Sequence, residues 1–233
     1  MTNTLLQPQL NPYHQLSFQK QFENTQIYQA LLQDFDELLY DREEKWRYSV
    51  TPRQQLADPK SLPSIFFVSA FYYLEWLTAA NPAEIYDLGC GWNIFKRYIP
   101  NIIGVGAEDP SSSNFYGDVH GFVDDSYIAQ HQAAFESVFS ICALHFIPLS
   151  NLRQRVLDFA SMIRPGGRGW LAMNAKRMME FDPLWKNANS NDIDHFVRSQ
   201  LTNLPFDLLV FDVYLDQINN GSNGNIHLVI KKP

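Results

Sequence analysis

Apolar residues in the first third of the chain recur at helical spacing. From Asn24 to about residue 42, apolar side chains return every three or four positions, which predicts an amphipathic helix. A second, strongly apolar helix is predicted at about residues 64–79, after a turn that contains Pro59 and Pro63. The first 16 residues are polar and rich in Pro and Gln. We therefore expect residues 1–61 to form an N-terminal arm and a helical cap.

Beyond Pro82 the pattern changes to short apolar runs separated by helical stretches. These runs lie at residues 84–88, 101–107, 137–144, 169–174, 207–215 and 225–232. Such alternation is typical of βαβ units and a mostly parallel sheet. The last two runs are joined by DQINNGSNG, which is too short to hold a crossover helix, so this pair is predicted to be antiparallel. We predict one α/β domain over residues 62–233.

Composition and charge exclude several classes of protein. The 233 residues carry a formal net charge of −7, which argues against sequence-independent binding to nucleic acid or to an anionic membrane surface. Two cysteines are too few for a disulfide scaffold or a structural zinc site. The longest apolar stretch, 65–77, is shorter than a bilayer requires, and the N-terminus does not resemble a signal peptide. We expect a cytoplasmic protein without a metal, membrane or nucleic-acid partner.

The sequence DLGCGWN, residues 87–93, follows the first predicted strand and precedes a predicted helix. Gly89 and Gly91 would let the backbone turn tightly and approach a ligand closely. The helix N-terminus after them would favour a carboxylate or phosphate. A dinucleotide site requires a further glycine at the position of Ile94, so a nicotinamide-dependent oxidoreductase is a distant alternative. A plain tight turn without a ligand remains the other interpretation.

Acidic residues end the second predicted strand. Glu108 and Asp109 stand about 20 residues after Asp87, where an acid can bind the hydroxyls of an adenosine ribose. Because EDPSSS is also a good turn sequence, a solvated turn is the alternative interpretation. The order strand, glycine turn, helix, strand and acid favours a nucleoside-containing cofactor.

Taken together, these motifs resemble class I S-adenosylmethionine-dependent methyltransferases. The resemblance rests on EIYDLGCGWN, IIGVGAEDPS, GDVHGF (117–122), FESVFSICALHFIP (135–148), MIRPGGRGWLAMN (162–174) and the closing antiparallel pair. It covers about residues 62–233 and implies a Rossmann-like methyltransferase fold with a seven-stranded type of sheet. Two departures stand out, namely Asn93 at the third glycine position and a stretch from Asp109 to Asp118 that is too short for a helix and a full third strand.

The resemblance also implies a role for each motif, with S-adenosylmethionine as cofactor and S-adenosylhomocysteine as product. Asp87, Gly89, Cys90 and Gly91 would hold the methionine end of the cofactor, and Glu108 or Asp109 would bind its ribose. Asp118 and Val119 would contact the adenine. Cys142, Ala143 and Leu144 would form the floor below the sulfonium, and His145 and Phe146 would face the acceptor. The ALHF sequence differs from the Asp/Asn-Pro-Pro-aromatic motif of DNA and glutamine amino-methyltransferases, which makes those substrates unlikely.

A small-molecule methyl acceptor fits the acidic composition best, and a protein acceptor stays open. His145 is the first candidate for a general base, because histidine titrates near neutral pH. Its alternative is a histidine bonded to the backbone at a strand end. The alternative function is an inactive methyltransferase-fold protein that acts as a binding or scaffold partner.

Overall fold

The structure is a computed structural model, and it describes residues 74, 76–78, 80–91, 93–97, 99–107, 110–111, 115–214 and 225–233. The chain divides into two compact units, Met1–Ala80 and Asn81–Pro233. In the first unit the described residues at 74 and 76–78 are helical. The predicted arm, the helix at 24–42 and most of the helix at 64–79 lie outside the described residues, and the expected boundary at residue 61 stays a prediction.

Seven strands in the described part of the chain form a single sheet. They are β1 (Ile85–Leu88), β2 (Ile102–Gly106), β3 (Val119–His120), β4 (Phe135–Ile141), β5 (Ile163–Asn174), β6 (Asp207–Tyr214) and β7 (Asn225–Lys231). Their order is β3-β2-β1-β4-β5-β7-β6. Strands β1 to β5 are paired in parallel, whereas β7 is antiparallel to both β5 and β6. The predicted parallel sheet with an antiparallel terminal pair is confirmed.

Helices connect these strands, and all of those described except the second, Leu152–Met162, begin at a side chain that caps them. The described helices are α1 (Asp125–Gln130), α2 (Leu152–Met162), α3 (Ala175–Glu180) and α4 (Ser190–Gln200), with 3₁₀ turns at Ile94–Arg97 and Leu149–Asn151. Asp124, Asn174 and Asn189 each accept a hydrogen bond from the backbone N–H three residues later, which satisfies a donor that the helix leaves free. None of the helices in the described ranges is both long enough and apolar enough to cross a membrane.

The connections between the strands agree with the sequence prediction only in part. The helix expected after the glycine turn is a four-residue 3₁₀ turn. The third strand, expected to be incomplete, has two residues. Helix α4 was not predicted, although Ile193, Phe196, Val197 and Leu201 follow helical spacing and Asn189 supplies a cap. The 3₁₀ turn and β3 have too few residues for a period to show.

One face of the sheet and the helices share an apolar core. Val156 and Phe159 of α2 and Ile193 and Val197 of α4 are fully buried and join the strand side chains in one cluster. Across the sheet, the Oγ atom of Ser140 donates a hydrogen bond of 2.8 Å to the carbonyl oxygen of Leu88, which ties β4 to the end of β1. This packing fixes the carboxyl ends of the central strands.

Arg153 on α2 binds the carboxyl end of α4. Its Nη1 atom donates to the carbonyl oxygens of Gln200 and Thr202 at 2.7 Å each, and Nη2 donates to that of Asn203 at 3.2 Å. Because a cation there satisfies carbonyls that the helix leaves free, Arg153→Met should lower the free energy of unfolding by about 1–2 kcal/mol in urea titrations. The surface variant Arg164→Met should change it by less than about 1 kcal/mol, and equal losses would contradict this assignment.

Candidate active site

Gly89 forms the turn at the end of β1. Its φ of +79° is in the left-handed region that favours glycine. A Cβ at this position would lie 2.1 Å from the Cβ of Ala143, so no side chain fits without displacement of the loop after β4. The N–H groups of Gly89 and Cys90 donate to the carbonyl oxygen of Val105 at 2.9 and 3.0 Å. The turn is therefore held between β2 and the loop that follows β4.

Asn93 occupies the third glycine position of the motif and keeps the backbone conformation that a glycine would adopt. Its φ is +51°, and that of Gly91 is +49°. Asparagine tolerates this region better than most side chains. The Asn93 amide is buried and its Nδ2 atom donates to Oδ2 of Asp118 at 2.9 Å. The departure from the family motif therefore leaves the turn intact.

Asp87 is a buried carboxyl group directly below the glycine turn. Only 3% of the residue is exposed, and burial raises the pKa of Asp87 well above its usual value. No hydrogen bond to its carboxylate comes from the residues that the structure describes. Burial, and then the negative charges of Asp87 and Asp118, raise the pKa of the Cys90 thiol to about 12, so this thiol is protonated at neutral pH.

Two cavities meet at Gly89 and Ala107. The larger has a volume of about 610 Å³, within the range of roughly 300–1,000 Å³ that small-molecule sites occupy. The smaller, of about 220 Å³, is bounded by Gly89, Gly91, Gly106, Ala107 and residues 115–117. The larger is also lined by residues 121–126, Ala143, Leu144, Phe146, Ile147 and Arg155. Both lie at the carboxyl ends of β1, β2 and β4, where the strand order reverses and α/β proteins bind ligands.

The carboxylate of Asp118 is bonded within the protein. Oδ2 accepts hydrogen bonds from Nδ2 of Asn93 at 2.9 Å and from the Gly104 N–H at 2.8 Å, while Oδ1 pairs with the Lys96 ammonium. Partial burial raises the pKa of Asp118, but the bonds from Lys96, Gly104 and Asn93 outweigh it and lower the pKa overall. Asp118 thus anchors the glycine turn to β2. An adenine contact by Asp118 or by the exposed Val119 stays a prediction.

The loop after β4 supplies part of the predicted floor. Ala143 and Leu144 line the larger cavity. Cys142 does not line either cavity and has a φ of +56°, which turns the chain at the end of β4. Burial raises the pKa of the Cys142 thiol, so it is protonated at neutral pH and unsuited to act as a nucleophile.

His145 and Phe146 lie in different environments. Phe146 is 61% exposed and lines the larger cavity, whereas His145 is buried and lines neither cavity. Burial, with a contribution from Arg177 on α3 that exceeds the opposing one from Glu180, lowers the pKa of His145 to about 4. A histidine with that pKa is a weak base. Phe146 therefore lies in the wall of the larger cavity and His145 does not; the general-base role of His145 and the acceptor contact of either residue stay predictions.

Glu108 and Asp109 lie outside the described residues. Their role stays a prediction.

Sequence analysis missed Arg155 and gave no role to Phe122, and both residues line the larger cavity. Arg155 lies three residues after Leu152 and four before Phe159, which are both buried on α2. A charged residue on an apolar helical stripe was the signal that could have identified it. Phe122 is 69% exposed, and an isolated aromatic residue in a loop carries no such signal.

The similarity of the chain to known proteins is structural and does not extend to the sequence. No family model and no curated protein sequence matches the chain. Among solved structures, geranyl diphosphate C-methyltransferase from Streptomyces coelicolor A3(2) is 12% identical, with 97% of this chain and 99% of that chain covered and a TM-score of 0.44. A SAM-dependent methyltransferase from Archaeoglobus fulgidus is 12% identical, with 78% and 100% covered and a TM-score of 0.42. One from Mesorhizobium loti is 13% identical, with 68% and 96% covered and a TM-score of 0.37.

Similarity at these identities concerns the fold and carries no statement about substrate. The fold itself follows from the sheet, whose order is β3-β2-β1-β4-β5-β7-β6 with β7 antiparallel to its neighbours. The closing antiparallel pair separates this topology from dinucleotide-binding folds. The chain has a Rossmann-like fold with a seven-stranded sheet that is parallel except for its antiparallel terminal pair.

Proposed function

We propose that the chain binds S-adenosylmethionine along the edge formed by the loops after β1, β2 and β4, and transfers its methyl group to a small-molecule acceptor. The observation that carries this proposal is the junction of two cavities at Gly89, at the point where the strand order reverses. The larger cavity has the size of a small-molecule site. The net charge of −7 makes a nucleic-acid acceptor unfavourable.

The residues around the smaller cavity fit an adenosyl cofactor. Four glycines, Gly89, Gly91, Gly106 and Gly117, bound it, so the backbone can approach a ligand without intervening side chains. The buried carboxyl group of Asp87 lies below the same turn and suits the cationic amino group of the methionine end. Glu108 or Asp109 would hold the ribose, and the region of Asp118 and Val119 the adenine.

When bound, the cofactor supplies a methyl group on a positively charged sulfur, which is transferred by in-line displacement. The chain's own contribution is to position the acceptor and exclude water. Phe122, Leu144 and Phe146 give the larger cavity apolar walls for this purpose. Alignment of a nucleophile at about 3–3.5 Å can contribute roughly 7–11 kcal/mol to catalysis. The proposal therefore relies on positioning and does not require His145.

A thermal-shift titration tests this proposal. A ligand at about 100 times its dissociation constant stabilises a protein by about 2.7 kcal/mol, which for a chain of this length raises the melting temperature by roughly 5–11 °C. We expect that rise with S-adenosylmethionine and S-adenosylhomocysteine, and none with NAD. A protein that does not respond to either adenosyl ligand at millimolar concentration would contradict the proposal and favour the inactive scaffold instead.

A further inference from the structure

Arg155 is a cation in the wall of the larger cavity with little electrostatic compensation. Its side chain is 13% exposed, and its Nε atom is buried without a hydrogen-bond partner. Its ion pair is with Asp125, whose Oδ1 atom lies 3.6 Å from Nη2 and whose side chain is 91% exposed. Among the residues that the structure describes, the guanidinium therefore has one long ion pair and one buried donor without a partner.

The other acid at this end of the cavity already has a structural partner. Oδ1 of Asp124 accepts a hydrogen bond of 2.9 Å from the N–H of Tyr127 as the cap of α1. A well-solvated carboxylate such as Asp125 contributes little to a neighbouring cation. Removing a guanidinium from water costs several kcal/mol unless hydrogen bonds and opposite charge offset the cost. An oxyanion in the cavity would provide both, because a guanidinium can bind carboxylate or phosphate with two parallel hydrogen bonds.

We propose that Arg155 forms an oxyanion subsite in the larger cavity, and that the methyl acceptor is an anionic small molecule with a carboxylate or phosphate group. This inference rests on the proposed function, because it assigns the substrate class of the same site. The apolar side chains of Phe122, Val123, Leu144 and Phe146 line the same cavity and would hold the uncharged part of the acceptor. An amphipathic molecule with one acidic end fits this combination.

The position of Arg155 favours the acceptor over the cofactor as the source of the oxyanion. Arg155 lines the larger cavity, while the smaller cavity, with Gly91 and Gly106, does not include it. The amino-acid end of the cofactor is predicted at the glycine turn. Arg155 instead lies on α2 beside Asp125 of α1, whose contacts are separate from that turn.

The experiment measures anion binding to the full chain saturated with S-adenosylhomocysteine. Inorganic phosphate and benzoate are titrated by calorimetry at constant ionic strength into wild type, Arg155→Met, Arg155→Lys and Arg164→Met. Arg164 is a surface arginine paired with Glu136, so it controls for a change of net charge. We expect millimolar binding of at least one anion to wild type, a loss of about tenfold or more in R155M, partial recovery in R155K and no change in R164M.

Two further measurements make the outcomes distinct. Because R155M removes a poorly compensated buried charge, its melting temperature should equal or exceed that of wild type, whereas a structural ion pair would lower it. S-adenosylhomocysteine and methylthioadenosine, which lacks the carboxylate, are then titrated into wild type and R155M. A loss confined to S-adenosylhomocysteine would assign Arg155 to the cofactor's own carboxylate and overturn the proposal.

The proposal is also overturned if wild type binds neither anion, or if R155M and wild type bind the anions equally. Failure of the proposed function has a different signature, since S-adenosylhomocysteine would then not bind to wild type. In that case the anions are titrated into the ligand-free chain, where loss of binding in R155M supports the subsite and retained binding refutes it.

Discussion

Gly89→Ala is expected to weaken the binding of S-adenosylhomocysteine. The new methyl group would lie 2.1 Å from Cβ of Ala143, and the alanine would have to keep a φ of +79°. The backbone conformation costs about 1–2 kcal/mol and the overlap a further 1–3 kcal/mol. The loop after β4 must move, which changes the junction of the two cavities. We expect affinity to fall at least about tenfold in calorimetric titrations.

The chain offers two controls that separate the collision from the backbone strain. Gly166 has a φ of +76°, but a Cβ there would have no atom within 4 Å, so Gly166→Ala carries the strain alone. It should lower stability and leave ligand affinity unchanged. Adding Ala143→Gly to Gly89→Ala removes the collision and should restore part of the affinity. If G166A weakened binding as much as G89A, the contact with Ala143 would have no special role.

Much of the sheet could be predicted because long strands carry a pattern. The predicted run at 207–215 matches β6 almost residue for residue, and the run at 169–174 matches the continuously buried second half of β5, which begins earlier, at Ile163. The antiparallel direction of β7 followed from loop length alone. By contrast, β3 has two exposed residues, and its position depends on pairing with β2 rather than on its own composition.

The candidate site could be predicted only where backbone geometry dictates the residue. Gly89 was identifiable because its turn excludes other side chains. The environment of His145 could not be predicted. The direction of the backbone in the loop after β4 decides whether His145 or its neighbour Phe146 lines the cavity. The partners of Asp118 come from two other elements, so the network that holds its carboxylate exists only in the folded chain.

Asp87→Asn is expected to make the protein more stable and to weaken cofactor binding. The buried carboxyl group destabilises the fold at neutral pH, since burial raises its pKa and no described residue offsets the charge. D87N should therefore be more stable than wild type at pH 7, as measured by urea titration. Affinity for S-adenosylhomocysteine should fall about tenfold, because the ligand's ammonium loses its counter-charge.

The pH dependence separates this effect from an ordinary packing change. The folded-state pKa of Asp87 is raised above its unfolded value of about 3.9. As the pH rises above about 3.9, the Asp87 carboxyl group ionises first in the unfolded chain. The free energy of unfolding therefore falls with rising pH until the pH passes the pKa of Asp87 in the folded chain. Urea titrations of wild type and D87N should therefore agree near pH 3 and diverge towards pH 7. The control variant is Asp158→Asn on α2, where Asp158 accepts a hydrogen bond from Gln154. It should keep the ligand affinity of wild type and show no divergence from wild type towards pH 7. If D87N is less stable than wild type at pH 7, the Asp87 carboxylate is well solvated or paired in the folded chain. The charge below the glycine turn would then not be kept for a ligand.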